Sequence, residues 1–315
     1  MGLNRGDIPK LLTSGLRTEF MGDKGFGSTQ SDVYKTIALE VPSTKASETY
    51  AWLGQLPKMQ EWLSERQIKG LSEHGFSIIN KDFETTIRVD RNALEDEQYG
   101  QLKLLSQMMG QEARRYYDEY LVSVIEGNGL AYDGQNFFDT DHSEGSSGPQ
   151  SNAPAAGVAY KVSTAAEFVT VLNTVSTAMS QLNGDNGKRF GAKVTHVLVP
   201  TALEWLAREA FDPSYRGTGT TTASEMGKGR VQIIVSEYLA TDATVAYSPV
   251  YWLDLSKPIK PFIFQNRKNP EFVALDKTDS YENFMSKGIL YGVDNRFNMG
   301  FGLWQLAYKT VGAAS

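Results

Sequence analysis

Residues 97–129, EQYGQLKLLSQMMGQEARRYYDEYLVSVIEGNG, place Leu102, Leu105, Met109, Ala113, Tyr116, Tyr120 and Val124 at steps of three or four residues, the spacing that lines one face of a helix. The pattern predicts a single helix over about 97–126, with Gly-Asn-Gly at 127–129 as its stop. At about 1.5 Å per residue it is about 45 Å long. Gly100 and Gly110 fall inside it, and each weakens a helix by about 1 kcal/mol relative to alanine. Its stability therefore has to come from packing.

Upstream, VYKTIALEV (33–41) puts Val33, Ile37, Leu39 and Val41 on one side, and FETTIRVD (83–90) alternates Phe83, Thr85, Ile87 and Val89 with Glu84, Thr86, Arg88 and Asp90. Both read as strands. They bracket ETYAWLGQLPKMQEWLSER (48–66), where Tyr50, Trp52, Trp62 and Arg66 stand without a clean period. Large aromatics bury about 150–250 Å² each, so this segment must pack against something. A two-stranded excursion is marginal alone in water, and the sequence nearby offers no third strand. Either the four residues fill this chain's own core, or they contact another chain, since Trp, Tyr and Arg are enriched in interface hot spots. The unpartnered strands, the long helix and the arm before them favour the second reading. That arm, residues 1–32, is rich in glycine and mixed charge, with one apolar helical patch at Leu11–Phe20. It is expected to need a neighbour to become ordered.

Downstream, HSEGSSGPQSNAPAAG (142–157) marks an internal boundary. Beyond it Thr164 with Glu167, and Thr201 with Glu204, have capping-box spacing. VTHVLVP (194–200) reads as a buried strand, and VQIIVS, VYWLDL, KPFIFQ and EFVAL as short ones. The terminal KGILYGVDNRFNMGFGLWQLAYKTV (287–311) reads as a hairpin joined by DNRFNMG. The class is α+β, with no internal repeat.

The 315 residues carry a net charge of −6, with 41% hydrophobic and 22% charged residues, the balance of a globular protein. No basic stripe is present, which disfavours tight sequence-specific nucleic-acid binding but not passive enclosure. Cysteine is absent, so disulfides, thiol nucleophiles and thiolate metal sites are excluded together, as suits folding in a reducing cytosol. The start, MGLNRGDIPKLL, lacks a signal-peptide core, and no apolar run of about 18 residues occurs.

Catalysis would require a cluster of titratable groups, and there are 3 histidines: His74, His142 and His196. FFDTDHSEG is the richest spot, because Asp139, Asp141 and His142 could offer hard ligands to a divalent metal in a metal-dependent hydrolase. An EF-hand loop begun at Asp139 fails, with Glu144 where glycine is required and Gln150 where the bidentate glutamate belongs. The plainer reading is a solvated loop whose aspartates cap turns. His196 reads as a hydrogen-bonded strand residue and His74 as a turn residue. NGDNGKRFG (183–191) lacks the glycine and hydroxyl residue of a phosphate loop, and GTGTTT (217–222) lacks the third glycine of a dinucleotide fingerprint. The chain reads as no enzyme and as needing no cofactor.

The order of features, namely a polar arm, YAWLGQLPKMQEWLSER, INKDFETTIRVDRNALEDEQYG, a long helix, DGQNFFDTDH and HVLVP, resembles the Mu-like phage major head subunit (gpT-like) family. The resemblance runs over nearly the whole chain. It implies the Hong Kong phage capsid fold, with residues 1–32 as N-terminal arm and 33–90 as an extended loop over a neighbouring subunit. Residues 91–159 would be the peripheral domain with its spine helix, 160–250 the axial domain, and 251–315 strands returning to the peripheral domain. It further implies a major capsid protein of a tailed bacteriophage, assembling as hexamers and pentamers into an icosahedral head around double-stranded DNA. Tyr50, Trp52, Trp62 and Arg66 are then the expected assembly interface. Expected partners are further copies of itself, a portal protein at one vertex, a decoration protein where one is used and, because the chain starts directly at the arm, a separate scaffolding protein. The expected location is the virion capsid, assembled in the bacterial host cytoplasm without a membrane. An encapsulin-like compartment on the same fold is the alternative.

Overall fold

The long apolar period at 97–126 folds as one helix, Tyr99–Gly127. The structure, a computed structural model, describes residues 8–28, 32–50, 76–90, 99–155, 158, 160–214, 227–242, 245–276 and 280–310. The first two helices are α1 (Ile8–Met21) and α2 (Val33–Ile37), and the long helix is α3. The buried row of α3 runs through Leu102, Ser106, Met109, Tyr117, Leu121 and Ile125. Tyr116 and Tyr120 lie at its flank, edge-on to Phe83 at 5.3 Å each.

Gly110 is where a second backbone crosses the helix. A Cβ there would stand 2.4 Å from the Phe20 carbonyl oxygen and 2.6 Å from the Phe26 nitrogen, so only glycine admits the approach. α1 uses that gap: Leu16 and Phe20 are buried with Leu102, Met109, Phe272 and Tyr291, and Ser106 Oγ donates to the Leu16 carbonyl at 2.7 Å. The described part of the arm, expected to need a neighbour, instead docks on its own chain. Its apolar patch finds a ready surface on α3.

A four-stranded sheet lies against α3 in the order β1 (Ala38–Pro42), β8 (Phe262–Leu275), β9 (Gly288–Phe301), β4 (Lys81–Asp90). β1 runs parallel to β8, whereas β8–β9 and β4–β9 are antiparallel. The two strands read as lacking partners thus find them in the C-terminal part of the same chain. Residues 33–37, read as strand, form α2 instead, because the Tyr34 N–H is taken by Asp118 Oδ1 of α3 at 2.7 Å and Tyr34 and Ile37 face the core.

KPFIFQ and EFVAL are one strand, β8, irregular between Asn266 and Glu271. DNRFNMG is not a turn, for β9 runs straight through it. Phe297 and Met299 point into the core, while Asn295 Nδ2 donates to Tyr117 at 2.9 Å and Asn298 Nδ2 to the Ile79 carbonyl at 2.6 Å. The polar side chains that looked like loop residues have partners on α3 and on the strand Ser77–Ile79. The true connection holds a short helix, Tyr281–Ser286, closed by Lys287 at φ 51°.

The second sheet has the order β10 (Ala307–Thr310), β7 (Val250–Leu253), β5 (His196–Pro200), β6 (Gln232–Ser236). Helices α4 (Ala165–Gln181) and α5 (Glu204–Phe211) cover it, with Phe168 and Phe211 edge-on to Trp252. The capping box at Thr164 and Glu167 is formed. That at Thr201 and Glu204 is not: Thr201–Leu203 is a 3-10 turn, and Leu203 sits at the N-cap of α5 without a side-chain bond. A small ribbon, β2 (Ser47–Thr49) with β3 (Ser77–Ile79), completes the described strands.

Candidate functional site

The ribbon β2–β3 flanks residues 51–75, so its base is the place from which the aromatic segment departs. It is clamped by a chain of hydrogen bonds. The Tyr50 hydroxyl donates to Gln265 Oε1 at 2.8 Å, Gln265 Nε2 donates to Asn80 Oδ1 at 2.7 Å, and Asn80 Nδ2 donates to Ser43 Oγ at 2.9 Å. Glu48 accepts from the Thr44 and Lys45 N–H groups, which holds its carboxyl below the usual range. Tyr50 is 3% exposed, and burial pushes its phenol up to about 12.

Tyr50 was expected at an interface between chains; it lies instead in this subunit's core. Its hydroxyl meets a buried glutamine, which rewards burial rather than exposure. Trp52, Trp62 and Arg66 lie outside the described residues, as does His74.

The arm is held where it passes α3. Arg114 reaches Asp32 with two nitrogens, at 2.9 and 2.5 Å, and the Phe26 carbonyl at 2.6 Å. Burial raises the Asp32 carboxyl, yet the bonds from Arg114 and Lys35 outweigh it and leave the group below its ordinary value. Between α3 and the second sheet, Arg115 pairs with Glu237 at 3.0 Å and Glu126 accepts from the Ala240 N–H at 2.7 Å.

The hydrolase constellation does not assemble. His142 is fully buried, stacked on Trp304 at 4.1 Å, with Nδ1 2.6 Å from Asp133 Oδ2 and Nε2 3.2 Å from Asn152 Oδ1. Both ring nitrogens are thereby engaged in holding the loop together. Asp139 caps the Thr140 N–H at 2.7 Å, and Asp141 lies 3.4 Å from Gln135 Nε2. No group of three His, Asp or Glu side chains that could hold a metal occurs among the described residues. His196 contacts Thr195 Oγ1 at 2.9 Å, and burial lowers its pKa.

Sequence reasoning missed one buried carboxyl, Asp118, and one half-buried carboxyl, Glu144, since an acidic residue in a loop or on a helix face carries no signal of burial. Asp118 is raised to about 6 by burial, offset by the bonds it accepts from backbone N–H groups. Glu144 is raised to about 7, again chiefly by burial, although the Tyr132 hydroxyl donates to it at 2.8 Å. The folded chain keeps the Glu144 proton over a range in which the unfolded chain has lost it. Stability therefore falls as pH rises from about 4.5 to about 7. Glu144→Gln should flatten this part of the pH dependence and stabilise the subunit above the window, read as the urea midpoint on either side of it. An unchanged slope would show that Glu144 does not titrate there.

The chain matches the family described as Mu-like prophage major head subunit gpT over residues 10–165, 157–239 and 240–313. It belongs to that family. The gpT match spans both sheets, the long helix and the described arm. Among its relatives, the Mu-like prophage FluMu major head subunit of Haemophilus influenzae is 27% identical over 308 residues, 97% of this chain and 74% of that protein. The major capsid protein of Escherichia phage Mu is 28% identical over 305 residues, 96% and 73% respectively. In shape the chain is similar to the subunit in the procapsid of bacteriophage JBD30, with a TM-score of 0.58 and 28% identity over 99% of this chain and 77% of that one. This gpT-family chain is a major capsid protein of a tailed phage with the Hong Kong capsid fold, a structural subunit and not an enzyme.

Proposed function

We propose that the chain builds an icosahedral head as hexamers and pentamers around double-stranded DNA, in the virion and, before that, in the host cytoplasm. The observation that carries this reading is the gpT match from residue 10 to residue 313. In it, residues 1–32 act as the arm, 33–90 as the extended loop, 91–159 as the peripheral domain, 160–250 as the axial domain and 251–315 as the returning strands. The clamp at Tyr50 supports the assignment of 51–75 to a neighbour contact, since a segment that reaches another subunit needs a rigid root. Trp52, Trp62 and Arg66 are the residues proposed to make that contact. A separate scaffolding protein shapes the growing shell, a portal takes one vertex, and a decoration protein, where one is used, has the outer face. The net charge of −6 suits a wall that must not grip the packaged DNA.

Sedimentation tests the reading at its root. The purified chain should run as capsomers or larger shells, many times the 34.9 kDa of one subunit. A stable monomer that never associates at any concentration would contradict it.

A further inference from the structure

NGDNGKRFG (183–191), which is no phosphate loop, contains two of the chain's three Asn-Gly pairs, Asn183–Gly184 and Asn186–Gly187; the third is Asn128–Gly129. In such a pair the glycine nitrogen can attack the asparagine's own side-chain carbonyl carbon, since glycine has no Cβ to hinder the cyclic imide that results. The fold treats the three pairs differently. Asn128 is locked: its Nδ2 donates to the Phe138 carbonyl at 3.1 Å, and its Oδ1 accepts from the Phe138 N–H at 2.7 Å. Its amide cannot turn toward Gly129 without breaking both bonds. Asn183 is fixed through its backbone, which exchanges hydrogen bonds with the Gln150 side chain and bridges to Arg189, and Gly184 beside it is buried. Asn186 is held more loosely, by hydrogen bonds that lie within the turn itself. Its Oδ1 accepts from the Lys188 N–H at 3.0 Å, while the N–H of exposed Gly187, at φ 68°, donates to the Gly184 carbonyl at 2.9 Å. The first bond draws electron density from the carbonyl carbon and is placed to stabilise an oxyanion formed on attack. The second joins two residues of one surface turn, where local opening breaks it.

We propose that Asn186 is a self-modification site, which converts with water to aspartate and isoaspartate. The Gly187 nitrogen gives up its proton and bonds to Asn186 Cγ, the Cγ–Nδ2 bond breaks, and Nδ2 takes a proton and leaves as ammonia. Water then opens the cyclic imide and returns the Gly187 N–H. Opening at Cγ gives aspartate on an ordinary backbone; opening at the main-chain carbonyl gives isoaspartate, whose backbone runs through Cβ and is one carbon longer. That extra atom falls where there is no room for it. The Ser146 N–H and hydroxyl donate to the Asp185 carbonyl at 2.8 and 3.2 Å. A Cβ on Gly145 would stand 2.4 Å from that oxygen, and one on Gly187 would stand 2.9 Å from the Ser146 carbonyl oxygen. Isoaspartate between Asp185 and Gly187 therefore parts the 142–150 loop from the 183–189 loop.

The full chain is aged in warm, mildly alkaline buffer, folded in one sample and unfolded in guanidinium chloride in another, then digested. Mass spectrometry with chromatography separates the asparagine, aspartate and isoaspartate peptides. Taken relative to the unfolded rates, conversion of folded Asn186 is expected to run about tenfold or more ahead of Asn128, whose two bonds must break first. Faster conversion at Asn128 or Asn183, or none at Asn186 while the unfolded sample converts, would overturn the proposal. Hydrogen exchange of the aged chain should rise at Ser146, whose N–H loses the Asp185 carbonyl. Asn186→Gln, whose longer side chain closes the larger imide ring far more slowly, should age without that rise. An aged chain rich in isoaspartate at position 186, yet with unchanged exchange at Ser146, would overturn the parting of the two loops.

Discussion

Replacing Trp52 and Trp62 together by alanine is expected to abolish closed shells while leaving a folded subunit. The Tyr50 clamp at the root of the segment draws its hydrogen bonds from Gln265, Asn80 and Ser43, and the proposed contact places both indoles beyond it. Truncating an interface aromatic commonly costs about 2 kcal/mol or more, and a closed shell repeats that loss at every copy of the contact. Were the two residues core instead, each truncation would remove about 3–5 kcal/mol from the subunit's own stability. Circular dichroism with electron microscopy separates the outcomes. Folded subunits without shells support the contact; unfolded protein, or normal shells, would refute it.

Trp252→Ala should do the opposite and destroy the subunit before assembly begins. Trp252 is fully buried in β7, which pairs with β5 on one side and β10 on the other. Its ring meets Phe168 at 5.7 Å and Phe211 at 6.1 Å, both edge-on, and its Nε1 donates to Thr310 Oγ1 at 3.0 Å. The substitution empties the space between α4, α5 and the sheet and breaks the hydrogen bond to the last described strand. A loss of about 3–5 kcal/mol is expected, a large share of the about 5–15 kcal/mol that holds a typical domain together. The urea midpoint of the soluble fraction measures it. A shift worth less than about 1 kcal/mol would mean that the second sheet is not organised around this residue.

The contrast between the two tryptophan experiments follows the boundary of what the sequence could reveal. Periodicity exposed α3 because a helix writes its pattern within a few turns, and Thr164 with Glu167 exposed the start of α4 because a cap is local. Pairing across long separations leaves no such trace. Ala38–Pro42 and Phe262–Asn266 lie side by side, yet nothing in either segment names the other. The same blindness made DNRFNMG look like a turn, since Asn295 and Asn298 find their partners on α3 and β3 only once the sheet is built. Tyr50 was misplaced for that reason too: its partner, Gln265, is 215 positions away. Glycine misled in the other direction, because Gly110 weakens the helix in isolation but admits the α1 crossing in the fold. Of the proposed contact residues, the sequence could pick out the types, Trp and Arg, but not the surface they meet.

Electron cryomicroscopy of particles purified from cells expressing the chain tests the shell reading most directly. The expected reconstruction is a closed icosahedral shell of five- and six-fold capsomers, with each subunit's 51–75 segment lying over its neighbour. Particles absent under all conditions, with the chain recovered as a folded 34.9 kDa monomer, would contradict it.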